Sequence, residues 1–122
     1  MKTLAQIRAI NALNSSRVRD MGIGQNGGDA LSGFPLIIKS CGLLAATAFA
    51  IELKSSGEPK HEGARLIMLE VAKHLSDSAI AICEACTARD LVEELAHSDS
   101  SQLRRATAEA LAFLSYLKRF VA

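Results

Sequence analysis

The sequence predicts an all-α fold, a single-domain bundle of about five to six helices over residues 1–122. Three observations carry this. Apolar residues recur at i, i+3, i+4 and i+7 through most of the chain, the spacing that gathers them on one helix face. No stretch alternates apolar and polar residues as a half-buried strand does, and no internal repeat recurs. The core stock is leucine, isoleucine and alanine, with four Phe, one Tyr, no Trp and only two Pro, and this suits packed helices better than sheets.

Helix one is expected over Lys2–Arg19, with Leu4, Ile7, Ile10, Val18 and Met21 as its apolar stripe and Arg8 and Arg19 on the outer side. It runs into Asp20–Gly33, DMGIGQNGGDALSG, where five glycines and an Asn-Gly pair predict a glycine-rich loop at about 20–33. That loop lacks the GxxxxGK[ST] spacing of a phosphate cradle and no buried strand precedes it, so it reads as a connector. Ser32–Ser56 is the second helical region. Ser32 is placed to cap it, with Pro35 in the first turn, where a missing N–H is tolerated. Leu36, Ile37, Leu43, Leu44, Ala48, Phe49 and Leu53 look core-like. Gly42 either kinks this helix or ends it before another begins.

Lys54–Glu62 is a polar turn with Gly57 and Pro59. Helix three is expected from Lys60 to about Ile82, with Ile67, Val71, Leu75, Ala79 and Ile82 on one face and Leu66 and Met68 beside them. A shorter helix over Cys83–Ala96 carries Leu91, Val92 and Leu95 with its acids outward. Asp99 or Ser100 then caps the last helix. Ser101–Ala122 spans about six turns. Leu103, Thr107, Ala110, Leu114, Leu117 and Val121 form its inner stripe, widened by Phe113 and Phe120. Arg104, Arg105 and Arg119 gather on the other side, with Lys118 near its edge. Between the basic pairs stand Ala108, Ala112 and Ser115, where an ordinary surface helix carries long charged side chains. Small residues flanked by cations suit close approach by something anionic or helical.

Composition excludes several classes. No apolar run approaches the roughly 20 residues of a membrane span, and Gln6 and Arg8 interrupt any signal-peptide core, so the chain is expected in the cytoplasm. Net charge is +1, which announces no polyanion by itself. The layout is uneven: basic residues dominate both ends, and Glu84, Asp90, Glu93, Glu94 and Asp99 precede the last helix. Cys83 and Cys86 form C-x2-C, but the only other cysteine is Cys41, and His61, His74 and His97 lack metal-ligand spacing. Buried thiols in a reducing compartment are the simpler reading, and no metal or cofactor is expected. Glu93 and Glu94 point about 100° apart on a helix and make a poor acid–base pair. His74 reads as a surface histidine. With no nucleophile–base set and no cofactor loop, no catalytic residue is assigned.

The basic residues remain. Lys39, Arg104, Arg105, Lys118 and Arg119, and in second rank Arg8, Arg17 and Arg19, are the candidates to track a phosphate backbone. Aromatic platforms are few, Tyr116 and Phe34 alone, which fits a contributor to a composite groove better than a base-reading single-strand binder.

Two stretches together resemble a known family. RRATAEALAFLSYLKRFVA is similar to the C-terminal signature of the small subunit of type III-B (Cmr) CRISPR effector complexes, through Arg105, Ala106, Thr107, Glu109, Ala110, Leu111, Phe113, Leu114, Lys118, Arg119 and Phe120. FPLIIKSCGLLAATAFAIEL resembles a second family segment, through Pro35, Leu36, Ile37, Lys39, Gly42, Leu43, Ala48 and Phe49. Cys41, Leu44, Ala45 and Tyr116 depart from the pattern. The resemblance implies an all-helical, non-catalytic subunit that stacks head-to-tail, associates with the other Cmr subunits and helps hold guide and target RNA in antiviral defence, with the candidate cations meeting RNA phosphates or the neighbouring subunit. A helical adaptor binding only protein, and a regulator holding metal at Cys83 and Cys86, are the alternatives.

Overall fold

Among the described residues, 1–17 and 24–121 of the computed structural model, the chain forms six helices. They are α1 (Leu4–Ser16), α2 (Gly24–Cys41), α3 (Leu43–Ala50), α4 (Glu62–Ser76), α5 (Ala88–His97) and α6 (Ser100–Phe120). The only strand-like feature described is one isolated bridge, Leu53 with Pro59, inside the turn between α3 and α4. The all-α expectation is met.

Helix α4 lies at the centre, with α2, α3, α5 and α6 around it and α1 against α4 and α6. Phe34 and Ile38 of α2, Ile67, Met68 and Leu75 of α4, and Phe113 and Leu117 of α6 are all almost fully buried. Leu43, Leu91 and Leu95 close the core on the side of α3 and α5. The inner stripe of α6 and the Ile67–Val71–Leu75 face of α4 sit as their periodicity requires. Thr87 caps α5, and Asp99 caps α6 by accepting from the Gln102 N–H at 2.8 Å.

Helix α1 departs from its expected facing. It is shorter than predicted, with Thr3 and Gln6 forming a capping box at its start. Leu4 and Ile10 are 45% and 39% exposed, while Arg8, Asn11, Ala12 and Ser15 face the bundle. Those four still obey the i, i+3, i+4, i+7 rule, but three are polar: partners on α4 and α6, not apolar area, decide the facing. Val18, Arg19 and Met21 lie outside the described residues.

The glycine-rich loop is also revised. Helix α2 begins at Gly24, so residues 24–33 are helical, and the rest of that stretch, 20–23, lies outside the described residues. Each interior glycine costs about 1 kcal/mol relative to alanine. Burial of Leu31, Phe34 and Ile38 on one face of the same helix offsets this. Pro35 consequently sits inside α2, and Ser32 does not cap it. Leu36 and Leu53 are 63% and 61% exposed rather than core, and Ala48 is exposed too.

Helix α4 stops at Ser76, six residues short of the predicted end at Ile82. The Asp77 carboxylate accepts the Ala79 N–H at 2.9 Å, a local bond that competes with helix continuation. The chain then doubles back, and the N–H groups of Ile82 and Cys83 satisfy the Leu75 carbonyl. Glu94 of α5 accepts the N–H groups of Glu84 and Ala85 and fixes this segment from the other side.

Of the two readings of Gly42, the structure takes the second: it ends α2 and starts α3. Its φ of +91° and ψ of 160° lie in a region that side chains strain. A Cβ there meets no atom within 4 Å, so backbone strain is the whole cost of substitution. Gly42→Ala should therefore lower unfolding stability by about 1–3 kcal/mol in urea titration, with the m-value unchanged.

Candidate nucleic-acid interface

The outer face of α6 is built from positions 104, 108, 111, 115 and 118, alternately four and three residues apart. That spacing keeps Arg104, Ala108, Leu111, Ser115 and Lys118 in one line along the helix. Arg104, Ala108, Ser115 and Lys118 are exposed. Two grooves flank this line. The larger, about 910 Å³, runs between α6, α3 and α5, with Leu44, Val92, Leu103 and Ala108 as apolar lining and Arg104 at its edge. The smaller, about 370 Å³, lies between α6 and α2 and is lined by Pro35, Leu36, Lys39, Ser115 and Lys118. Leu111 borders both, so they form one continuous surface with three cations along it.

The predicted site residues divide into groups. Lys39, in the last turn of α2, shares the smaller groove with Lys118, and Arg104 lines the larger. Among the described residues none of these three forms an ion pair. Arg105 and Arg119 are exposed, and Arg105 donates to the Gln102 side chain at 3.3 Å. Gln102 in turn donates to the Ile82 carbonyl and ties α6 to the segment after α4. Arg17 is exposed as the C-cap of α1, and Arg19 lies outside the described residues.

Arg8 is turned inward. Its Nε and Nη2 donate to the two oxygens of Glu109 at 2.7 and 2.8 Å, a bidentate pair. The other partner of Glu109 is His74, whose Nε2 lies 2.9 Å from Oε2. This corrects the surface reading of His74, which is 2% exposed. Asn11 Nδ2 donates to His74 Nδ1 at 2.9 Å and to Asp77 at 3.0 Å. Nδ1 is thereby the acceptor, and Nε2–H points at the carboxylate. The imidazole also stacks on Phe113, with ring centroids 4.5 Å apart.

Protonation follows from this geometry. Burial depresses His74 below its ordinary value despite the carboxylate beside it, so the ring is neutral. Burial alone would raise Glu109; the hydrogen bonds from Arg8 and His74 outweigh it and hold the carboxyl below its usual value. The same pairing raises Arg8. The triad is thus one ion pair and one neutral imidazole, with no proton poised for transfer. Sequence reasoning missed it, although a signal exists: Glu109 is the one acid in α6 and stands three residues after Ala106 and four before Phe113, both core positions.

Among the described residues no group of three or more His, Cys, Asp or Glu is arranged to hold a metal. Cys83 is buried and Cys86 and Cys41 are exposed, so the buried-thiol reading holds for Cys83 alone. Burial and the nearby Glu94 push the Cys83 thiol up to about 12, which leaves it unreactive.

A model of the family described as CRISPR-associated protein (Cas_Cmr5) matches residues 4–122. The chain belongs to the Cas_Cmr5 family. This is the small subunit of type III-B (Cmr) complexes, as the resemblance in α2, α3 and α6 implied. The X-ray crystal structure of a CRISPR-associated Cmr5 family protein from Thermus thermophilus matches with a TM-score of 0.70 and 24% identity, covering 98% of this chain and 95% of that one. At that identity the likeness speaks for the fold. No curated protein matches the chain. In Cmr5 terms, the inward triad joins the signature helix to α1 and α4. No described helix is long and apolar enough to cross a membrane.

Arg8→Met removes the main partner of a carboxylate whose side chain is only 6% exposed. Stability should fall by about 2–4 kcal/mol, and Arg8→Met with Glu109→Gln should recover part of that loss in a double-mutant cycle by denaturation.

Proposed function

We propose that this Cmr5-family subunit is a non-catalytic, cytoplasmic scaffold that stacks head-to-tail with its own copies and lines the guide and target RNA with the outer face of α6. The observation that carries the reading is the alignment of Lys39, Arg104 and Lys118 along two joined grooves with short side chains between them. Phosphates approach such a surface closely, because Ala108 and Ser115 leave the helix backbone near solvent. Arg105 and Arg119 extend the positive field across the top of the helix, and Arg17 contributes from α1. Arg8 is left out of the phosphate set, since its donors are spent on Glu109.

A second reading has its own support: the larger groove is lined mainly by aliphatic side chains, a chemistry that suits a neighbouring subunit better than a phosphate. The readings assign different parts of one surface, cations to RNA and the apolar floor to protein. Pull-downs with nuclease treatment separate them, because partners held only through RNA are lost.

Lys39→Ala with Arg104→Ala should leave the isolated chain folded and weaken RNA binding by the assembled complex. The slope of log affinity against log salt should flatten by roughly 0.7 for each single-strand phosphate contact removed. Wild-type affinity and slope in the variant would remove both residues from the RNA set. Ala108→Trp should block co-assembly on size-exclusion chromatography while the circular dichroism of the monomer stays at the wild-type level.

A further inference from the structure

Helix α1 is attached differently from the rest of the bundle. Of its side chains only Ala12 and Ser15 are fully buried, and Leu4, Ile10 and Leu13 remain exposed. What holds it is a seam of polar bonds: Arg8 to Glu109, Asn11 to His74 and Asp77, and Ser15 to Glu70 at 2.9 Å. Lys73 completes the seam by pairing with Glu70 at 3.0 Å. Every buried polar side-chain atom described is satisfied. Such a seam fixes one register but contributes less net stability than apolar burial of equal area. Ala12 is the one α1 residue in the buried apolar core, to which each of the other five helices contributes several or larger side chains.

We propose that α1 is a reversibly docked helix, clasped to α4 and α6 through the His74–Glu109–Arg8 triad, and that uptake of a proton at this clasp releases it while α2–α6 stay folded.

The electrostatics around the clasp fix the sign. His74 faces Arg8 and Asn11 from α1, Glu109 and the Phe113 ring from α6, and Asp77 from the segment after α4. Glu70 and Lys73 stand on its own helix, and Tyr116 of α6 adjoins Arg8. A proton on the imidazole places a cation beside the Arg8 guanidinium, with the Glu109 carboxylate shared between them. It also takes the Nδ1 lone pair that Asn11 uses. His74 and Glu109 both bind protons more weakly than their free side chains: burial is the largest cause for His74, the hydrogen bonds from Arg8 and His74 outweigh burial and hold Glu109 down, and in each case α1 contributes through Arg8. Their contribution to docking is therefore present above their free values and is lost as pH falls. For His74 the loss begins near 6.5; Glu109 adds to it only near 4.5 and below.

Release exchanges the partner of the one carboxylate of α6: Arg8 leaves with α1, and the protonated His74, whose Nε2 lies 2.9 Å from Oε2, remains beside Glu109 as its counter-charge.

Hydrogen exchange of the full-length chain, read by mass spectrometry and normalised to intrinsic rates, tests the proposal. Between about pH 7.5 and about pH 5.5, protection of the α1 amides should fall by up to about tenfold, the most one freed histidine provides, while the Val71 and Phe113 regions keep theirs. His74→Gln should abolish that pH step and leave α1 less protected at about pH 7.5. The wild-type measurement decides by itself if the variant fails to fold. Protection of α1 equal to that of α4 and α6, or unaffected by pH, overturns the proposal.

Discussion

Glu109 is a carboxylate taken out of water on the buried side of the longest helix, and the polar geometry of the molecule is organised by what keeps it satisfied. An isolated charge at that depth would be prohibitive. Arg8 supplies two charge-assisted bonds and His74 a third, from two different helices. Glu109 faces inward between α1 and α4, on the side of α6 that its apolar stripe of Ala106, Ala110, Phe113 and Leu117 also buries. With Glu109 inward, Arg104, Ala108, Leu111, Ser115 and Lys118 necessarily face outward. The interior ion pair and the exterior basic line are two sides of one helical register.

Much of this was legible in residues whose partners are apolar. The core stripe of α6, the Asp99 cap, the turn before α4 and the break at Gly42 follow from spacing, cap chemistry and glycine. The failures share a cause: long-range polar pairing outranked local signals. Helix α1 shows Leu4 and Ile10 to solvent because Arg8, Asn11 and Ser15 have partners about 55 to 100 residues away, which periodicity does not register. Helix α4 ends early because one carboxylate competes for a backbone N–H. Helix α2 runs through glycines because tertiary burial of Leu31 and Phe34 outweighs propensity. The candidate cations were identifiable one by one, but their sorting was not. Which of them meet in a groove depends on how α2 crosses α6, and that crossing is fixed by core packing.

Membership of the Cmr5 family places the chain among the subunits of a Cmr complex. A subunit in such an assembly needs a surface that contacts neighbours and a body that holds its shape. The chain separates these tasks. Helix α4 and its surroundings carry the apolar core, while α6 is core on one side and lines open grooves on the other. Gly42 helps form the larger groove by letting α2 and α3 leave in different directions, so that Leu43 enters the core while Leu44 lines the opening.

Short side chains along α6 carry a thermodynamic consequence as well as a steric one. Alanine has no rotamers to freeze and serine few, whereas each immobilised lysine or arginine loses roughly 1.5–2 kcal/mol of side-chain freedom. A partner settling on Ala108 and Ser115 therefore immobilises little, and the entropic cost of docking is concentrated in a few long cations.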